Sequence, residues 1–235
     1  DYLAESVIMG DNARAEEIIK KIYSYQHVRG KSVVPTKFRI YTEIGYNKIN
    51  AQHWPIMLYL ALSLLLAIVS TVCLNAEKLK KAHSISSVLA WVMLIHTTVL
   101  LTLRWYVSGH LPMSNGYETM QFMAWATLIV TRVMQKRFVP IKQFGPLLSA
   151  FALLVAMITD GNPQITQLMP VLQSPLLSVH VMVIMFSYAL FGLMALIGIQ
   201  GLIAHHRKQT AKEQQLAALS QFLLYPAVAL IAIGI

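Results

Sequence analysis

The chain has 235 residues, of which 56% are hydrophobic and only 12% are charged, and its mean hydropathy is +0.56. Soluble domains carry about 25% charged residues, so this composition argues against an ordinary soluble protein and predicts an integral membrane protein. The net charge of +9 could suit a nucleic-acid-binding protein. However, the basic residues cluster in short loops between apolar runs, which favours a membrane and no nucleic-acid partner.

Residues 1–52 are the one long polar stretch, and we expect them to form a short external α/β segment. NARAEEIIKKIYSYQ predicts an amphipathic helix. The pairs Glu16–Lys20 and Glu17–Lys21 have the i,i+4 spacing that stabilises a solvated helix face. The apolar side of this helix holds Ile18, Ile19, Ile22 and Tyr23.

From Phe38 to Tyr46, apolar and polar residues alternate, which predicts one half-buried strand. A lone strand needs partners, and none lies nearby in the sequence. We therefore expect residues 1–52 to be the tail of a larger water-exposed domain. The polar N-terminus shows no signal peptide and no initiator Met, and the C-terminus ends within an apolar run. These features predict that the chain is a piece of a longer polypeptide.

Six apolar runs follow, and they predict an all-α integral membrane protein with about six transmembrane helices over residues 53–235. A helix needs about 20 residues to cross the hydrocarbon core, and most of the runs meet or approach this length. The fourth run is shorter, and the sixth reaches the last residue of the chain. The runs are 54–74, 85–107, 117–134, 144–159, 176–203 and 217–235.

The loops between these runs differ sharply in charge, which predicts their orientation. Three loops are rich in Lys and Arg, whereas the alternate loops, 104–118 and 160–175, hold only Arg104. Basic loops favour the cytoplasmic side. We expect residues 1–52 and both basic-poor loops on the periplasmic side of a bacterial cytoplasmic membrane. The basic loops contain Lys78, Lys80, Lys81, Arg132, Lys136, Arg137, Lys142, Arg207, Lys208 and Lys212.

The stretch RWYVSGHLPMSNGYETMQFMAWATLI gathers polar and aromatic residues between two apolar runs. Its aromatic residues could form an ordinary belt at the membrane boundary. Arg104 and Glu118 could form an ion pair that closes the loop, or Arg104 could hold a ligand's carboxylates. The candidate site residues in this stretch are Arg104, Trp105, His110, Asn115, Tyr117 and Glu118.

Two histidines lie within apolar runs. His180 follows Pro175 closely in a Met-rich helix, and it could be an axial haem ligand or a structural histidine bonded to a loop carbonyl. His96 falls near the middle of the second run, where it could serve as a ligand or proton relay, or hydrogen-bond across helices. The single cysteine permits no disulfide within the chain, and the absence of CxxCH indicates that the chain itself carries no covalently attached haem.

RWYVSGHLPMSNGYETMQFMAWA and SPLLSVHVMVIMFSYALFG resemble the CcsA/ResC type of System II cytochrome c biogenesis protein. The preceding SYQHVRGKSVVPTKFRIYTEIGYNK resembles the junction in fused CcsBA cytochrome c synthases. This resemblance implies export of haem b and its presentation to apocytochrome c, where thioether bonds form at CxxCH. It also implies a holocytochrome c synthase activity with a CcsB/ResB-like half, fused or separate, and thiol-reducing proteins.

The resemblance further implies that His180 is the first external axial ligand of the haem iron, and that the 104–118 loop helps to shape that site. The family's tryptophan-rich segment and second external histidine are absent from these 235 residues. Two other classes stay open: a transporter or quinone-linked subunit that uses His96 and Glu118 for protons, and a structural scaffold. No convincing internal repeat supports a transporter.

Overall fold

The computed structural model describes residues 2–30, 34–73, 76–159, 164–165 and 174–234, and every regular element in these ranges is an α-helix. The chain divides into two compact units, residues 1–42 and 43–235. The helices are α1 (Tyr2–Ile8), α2 (Asn12–Arg29), α3 (Lys37–Asn50), α4 (Trp54–Val72), α5 (Ala76–Ser108), α6 (Gly116–Met134), α7 (Ile141–Thr159), α8 (Pro175–His206) and α9 (Thr210–Ile233).

In the first unit, α2 confirms the predicted amphipathic helix. The Asp11 side chain caps it by accepting a hydrogen bond from the Arg14 backbone N–H at 3.1 Å. The predicted pairs are both present: Glu16–Lys20 at 3.5 Å and Glu17–Lys21 at 2.7 Å. All four side chains are exposed, so these pairs contribute little to stability.

The strand predicted from Phe38 to Tyr46 is wrong, because α3 covers this stretch as a helix. An isolated strand would leave its backbone N–H and C=O groups without partners, whereas a helix pairs them within one segment. The two buried side chains of α3, Tyr46 and Asn50, lie four residues apart on one helix face. The expected external α/β segment is therefore corrected to helices throughout its described residues. Its assignment as the tail of a CcsB/ResB-like domain stays a prediction.

Five helices of the described chain are long and apolar enough to cross a membrane: α4, α5, α7, α8 and α9. The count of six is not supported, because α6 falls outside this set. Its 19 residues include Glu118, Gln121 and Arg132, and most of its polar side chains are turned inward. α6 is therefore a mixed helix whose polar side chains are mostly buried against neighbouring helices. The chain is a multi-pass membrane protein.

The second unit is a bundle in which α6 packs against α5, α7 and α8, and α8 packs against α9. The closest approach is between α6 and α7: a Cβ at Gly145 would overlap the Thr131 hydroxyl, so only glycine fits there. Since successive helices alternate in direction, one end of the bundle holds the three basic loops, and we call it the basic end. The opposite end, which holds the 104–118 loop, is the Arg104 end.

Candidate functional site

At the Arg104 end, Arg104 and Glu118 form a buried ion pair. Arg104 Nε lies 2.5 Å from Glu118 Oε1, and the two side chains are only 1% and 2% exposed. Arg104 Nη1 also donates to the Tyr46 hydroxyl at 3.0 Å, and Tyr46 is fully buried. The guanidinium is thus held by α3 and α6 together. This geometry is the loop-closing ion pair that the sequence offered as one alternative.

The second carboxylate oxygen of Glu118 holds the loop itself. Glu118 Oε2 accepts hydrogen bonds from the Ser114 backbone N–H at 2.8 Å and the Ser114 hydroxyl at 2.6 Å. Asn115 caps α6 by accepting from the Glu118 N–H at 2.9 Å. At the other end of the loop, Gly109 terminates α5 with φ +77°, a conformation that favours glycine. The polar residues of the loop therefore fix its shape.

Tyr117 extends this network along α6. Its hydroxyl donates to Asn50 Oδ1 at 2.7 Å and accepts from Gln121 Nε2 at 2.7 Å. Asn50 Nδ2 and Gln121 Oε1, both buried, have no partner among the described residues. They line a cavity of about 10 Å³, roughly the space of one water molecule, which also borders His96. An ordered water would satisfy both groups.

His96 lies on α5 and is half-buried. The Tyr59 hydroxyl of α4 lies 3.1 Å from His96 Nδ1, and the two rings meet edge to face. The structure thus contains the cross-helix hydrogen bond that was one of the two alternatives for His96. A direct role for His96 in haem binding stays a prediction.

A second cavity, of about 190 Å³, lies beside the 104–118 loop. Three aromatic rings from two helices line it: Trp105 at the end of α5, and Phe122 and Trp125 on α6. Trp125 Nε1 donates to Thr98 Oγ1 at 2.9 Å, so the indole has a polar partner and a fixed orientation. Complete small-molecule pockets begin at about 300 Å³, so this cavity suits only part of a large apolar ligand.

His180 lies in the second turn of α8 and is exposed. None of the described groups forms a hydrogen bond with its ring, while most of the 160–175 loop lies outside the described residues. Ile184 and Ser187 follow His180 on the same helix face, and Ser187 Oγ donates to the Ala227 carbonyl of α9 at 2.8 Å. Met182 lies on the other side of α8 and lines the aromatic cavity. His180 and the cavity therefore lie on opposite faces of α8.

The remaining predicted residues hold the loop or border the cavity. His110 is half-buried, and its Nδ1 lies 2.9 Å from the Leu111 carbonyl. Trp105 is half exposed, as a membrane-boundary residue would be. Three residues of the network around Arg104 and Tyr117 were not predicted from the sequence: Tyr46, Asn50 and Gln121. The i,i+4 spacing of Tyr46 and Asn50 was available as a signal, but the strand interpretation of residues 38–46 concealed it.

The described residues contain no group of three or more His, Cys, Asp or Glu side chains that could hold a metal ion. Haem iron needs only one or two axial side chains from the protein, because the macrocycle supplies four nitrogen ligands. The exposed imidazole of His180, with no partner among the described residues, fits such a group.

These features define a polytopic, all-helical membrane protein with a rigid polar loop and an accessible histidine at one end. The family model described as "Cytochrome C assembly protein" matches residues 113–235, more than half of the chain, and the chain belongs to this family. The match includes Asn115, Tyr117, Glu118 and His180. The resemblance to CcsA-type cytochrome c biogenesis proteins is confirmed.

The chain is similar to Protein NrfI of Wolinella succinogenes, with 30% identity over 77% of this chain and 20% of that protein. It is also similar to the cytochrome c biogenesis protein CcsA of Cycas taitungensis, with 32% identity over 57% of this chain and 44% of that protein. The CcsA of Chlamydomonas reinhardtii is 34% identical over 57% of this chain and 40% of that protein. The chain thus spans less than half the length of each of these relatives.

Proposed function

We propose that the full-length protein containing this chain acts in cytochrome c maturation. In this function it exports haem b to the periplasmic face of a bacterial cytoplasmic membrane and presents it to apocytochrome c. The observation that carries the proposal is the family match over residues 113–235 together with an accessible imidazole, His180, at the Arg104 end. We assign this end to the periplasm because the other end holds the basic loops.

His180 supplies an axial nitrogen to the haem iron in this proposal. A neutral imidazole with no competing hydrogen bond is a suitable iron ligand. The second external histidine that the family resemblance implies would supply the other axial nitrogen.

Arg104 and Glu118 act as positioning residues. Their side chains bond to each other, to Tyr46 and to Ser114. These bonds orient the loop that carries Trp105 and His110. Glu118 accepts three hydrogen bonds, one from Arg104 and two from Ser114. No observation on the described residues favours the alternative of a proton-coupled transporter.

The reaction served is the addition of each CxxCH thiol across a haem vinyl group, which makes the protein part of a holocytochrome c synthase. The sulfur–hydrogen bond and the vinyl π bond break, while a carbon–sulfur bond and a carbon–hydrogen bond form, so the step consumes no oxidant. Holding thiol and vinyl group together is the main requirement. A CcsB/ResB-like half and thiol-reducing proteins are the partners that we propose, the latter to keep the CxxCH cysteines reduced.

The test is the visible absorption spectrum of the purified full-length protein with and without His180→Ala. Outer-shell partners of metal ligands alone are worth about 10–100-fold in affinity, so loss of a direct ligand should lower haem content by about tenfold or more. Added imidazole should restore the spectrum. His206→Ala is the matched control, because His206 is an exposed histidine at the other end of α8. Unchanged haem content and spectrum in His180→Ala would refute the assignment.

A further inference from the structure

The basic end contains a third cavity, of about 280 Å³, which the proposed function does not use. It is the largest of the three cavities described. Its walls come from the ends of α4, α5, α7, α8 and α9. Since five helices share it, the cavity is a feature of the whole bundle and not a gap beneath one loop.

Three side chains that line this cavity are joined by hydrogen bonds, and the last of them has a donor without an acceptor. His83 Nε2 lies 3.1 Å from Gln143 Oε1, and Gln143 Nε2 donates to Gln200 Oε1 at 3.4 Å. Gln200 Nε2 has no partner among the described residues, although the Gln200 side chain is only 2% exposed. Buried donors are nearly always paired, so an unpaired one beside a cavity points to a missing acceptor.

The charges around the cavity favour an anionic acceptor. Lys212 lines it, and no ion pair involving Lys212 is present among the described residues. Arg207 lies at the same end, where its Nη1 donates to the Thr71 carbonyl at 2.5 Å. No lining residue of the cavity is acidic. The nearby Glu213 lies 3.1 Å from His205 through a carboxylate oxygen and a ring nitrogen, so it already has a partner.

Helix direction adds to this preference. The chain enters α5, α7 and α9 at the basic end, and Leu79, Gln143 and Lys212 line the cavity from their first turns. Helix N-termini carry partial positive charge and unpaired backbone N–H groups. Three of them meet at one cavity, beside the unpaired amide and the ammonium group.

We propose that this cavity binds an oxyanion, a carboxylate or phosphate, at the head of an amphipathic molecule. Gln200 Nε2 and Lys212 Nζ would hold the anion, while Leu79 and Val139 contact the apolar part. Two sources present this chemistry at a membrane surface: a haem propionate and a phospholipid headgroup. The propionate source rests on the function proposed above, whereas the anion site itself does not.

The experiment uses the full-length protein carrying His180→Ala, so that haem bound at His180 does not contribute. Lys212→Met and Gln200→Leu are compared with Lys208→Met, which removes a neighbouring charge outside the cavity lining. One arm measures the affinity of haem against haem dimethyl ester, whose propionates are blocked. The second arm measures retention of phosphatidylglycerol against phosphatidylcholine by native mass spectrometry.

Lys212→Met and Gln200→Leu should each weaken one of two preferences by about tenfold: that for haem over its dimethyl ester, or that for phosphatidylglycerol over phosphatidylcholine. Tenfold is the effect expected of one charge-assisted hydrogen bond. Lys208→Met should leave it unchanged. A change confined to the haem arm identifies a propionate, and a change confined to the lipid arm identifies a headgroup phosphate. Two results would overturn the site: neither arm responds to Lys212→Met, or Lys208→Met responds equally. Because Lys212 is at the cavity rim, Lys212→Met keeps the test informative even if Gln200→Leu fails to fold.

Discussion

The two ends of the bundle differ in how their buried polar groups are paired. At the Arg104 end, the Arg104 guanidinium and the Glu118 carboxylate find partners within the chain, so the loop is closed by its own side chains. At the basic end, the amide chain from His83 stops at an unpaired Gln200 donor beside a cavity of about 280 Å³. The unpaired atoms at the Arg104 end, Asn50 Nδ2 and Gln121 Oε1, border a cavity of only about 10 Å³, whereas the cavity beside Gln200 has room for a larger ligand group.

The largest effect that distinguishes the two ends is expected for Glu118→Gln. This change leaves the Arg104 guanidinium buried without its carboxylate, which destabilises proteins by about 3–5 kcal/mol. We expect a clear fall in the melting temperature of the detergent-solubilised protein, whereas Gln200→Leu, which removes the 3.4 Å hydrogen bond from Gln143 Nε2, should lower it less. Thermal unfolding followed by circular dichroism measures both.

A double variant separates charge burial from loss of packing. Glu118→Gln combined with Arg104→Met removes both charges, so it should be less destabilised than Glu118→Gln alone. An unchanged melting temperature in Glu118→Gln would show that this ion pair does not hold the loop.

The next effect concerns the close contact between α6 and α7 near the basic end. Gly145→Ala should destabilise the protein by about 1–3 kcal/mol, because the new methyl group overlaps Thr131 and forces α6 and α7 apart. Thr131→Ala should partly restore the loss by making room. Gly198→Ala is the control, since nothing lies within 4 Å of a Cβ at that position. Equal melting temperatures for the two alanine variants would contradict the close approach.

An effect no larger than that of Gly145→Ala is expected for Tyr117→Phe, which removes the hydroxyl that pairs with Asn50 and Gln121. The Asn50 and Gln121 side chains are then left with unmet polar atoms, a loss of about 1–3 kcal/mol in unfolding free energy. Tyr188→Phe, at a half-exposed tyrosine, serves as the comparison. If both variants unfold at the same temperature, the Tyr117 hydroxyl contributes nothing to the Arg104 end.

The smallest effect is expected at the exposed pair Glu17–Lys21 in the first unit. Its hydrogen bond and charge from Lys21 lower the pKa of Glu17, so any stabilisation is present at neutral pH and disappears as pH falls through the lowered pKa. Since both side chains are exposed, Glu17→Gln should leave the melting temperature unchanged at pH 7. A measurable fall would show that exposure is a poor guide to the strength of these pairs.

Much of the bundle was predictable because its signals are local. Apolar runs and basic loops indicated the membrane helices, and the run 117–134 marked α6. The burial of the polar side chains of α6 was not predictable in this way, because it depends on neighbours distant in sequence. Tyr46 was missed for the same reason: its partner, Arg104, is 58 residues away. Alternation over residues 38–46 favoured a strand, whereas backbone pairing selected a helix.

The most direct test of cytochrome c maturation is covalent haem attachment to an apocytochrome. The full-length protein would be produced with a CxxCH-containing apocytochrome in a host that lacks its own maturation system. Haem staining of a denaturing gel then reports thioether-bound haem. We predict a stained cytochrome band with the wild-type protein and at most a faint one with His180→Ala. An unstained apocytochrome beside a correctly inserted, wild-type full-length protein would contradict the proposed function.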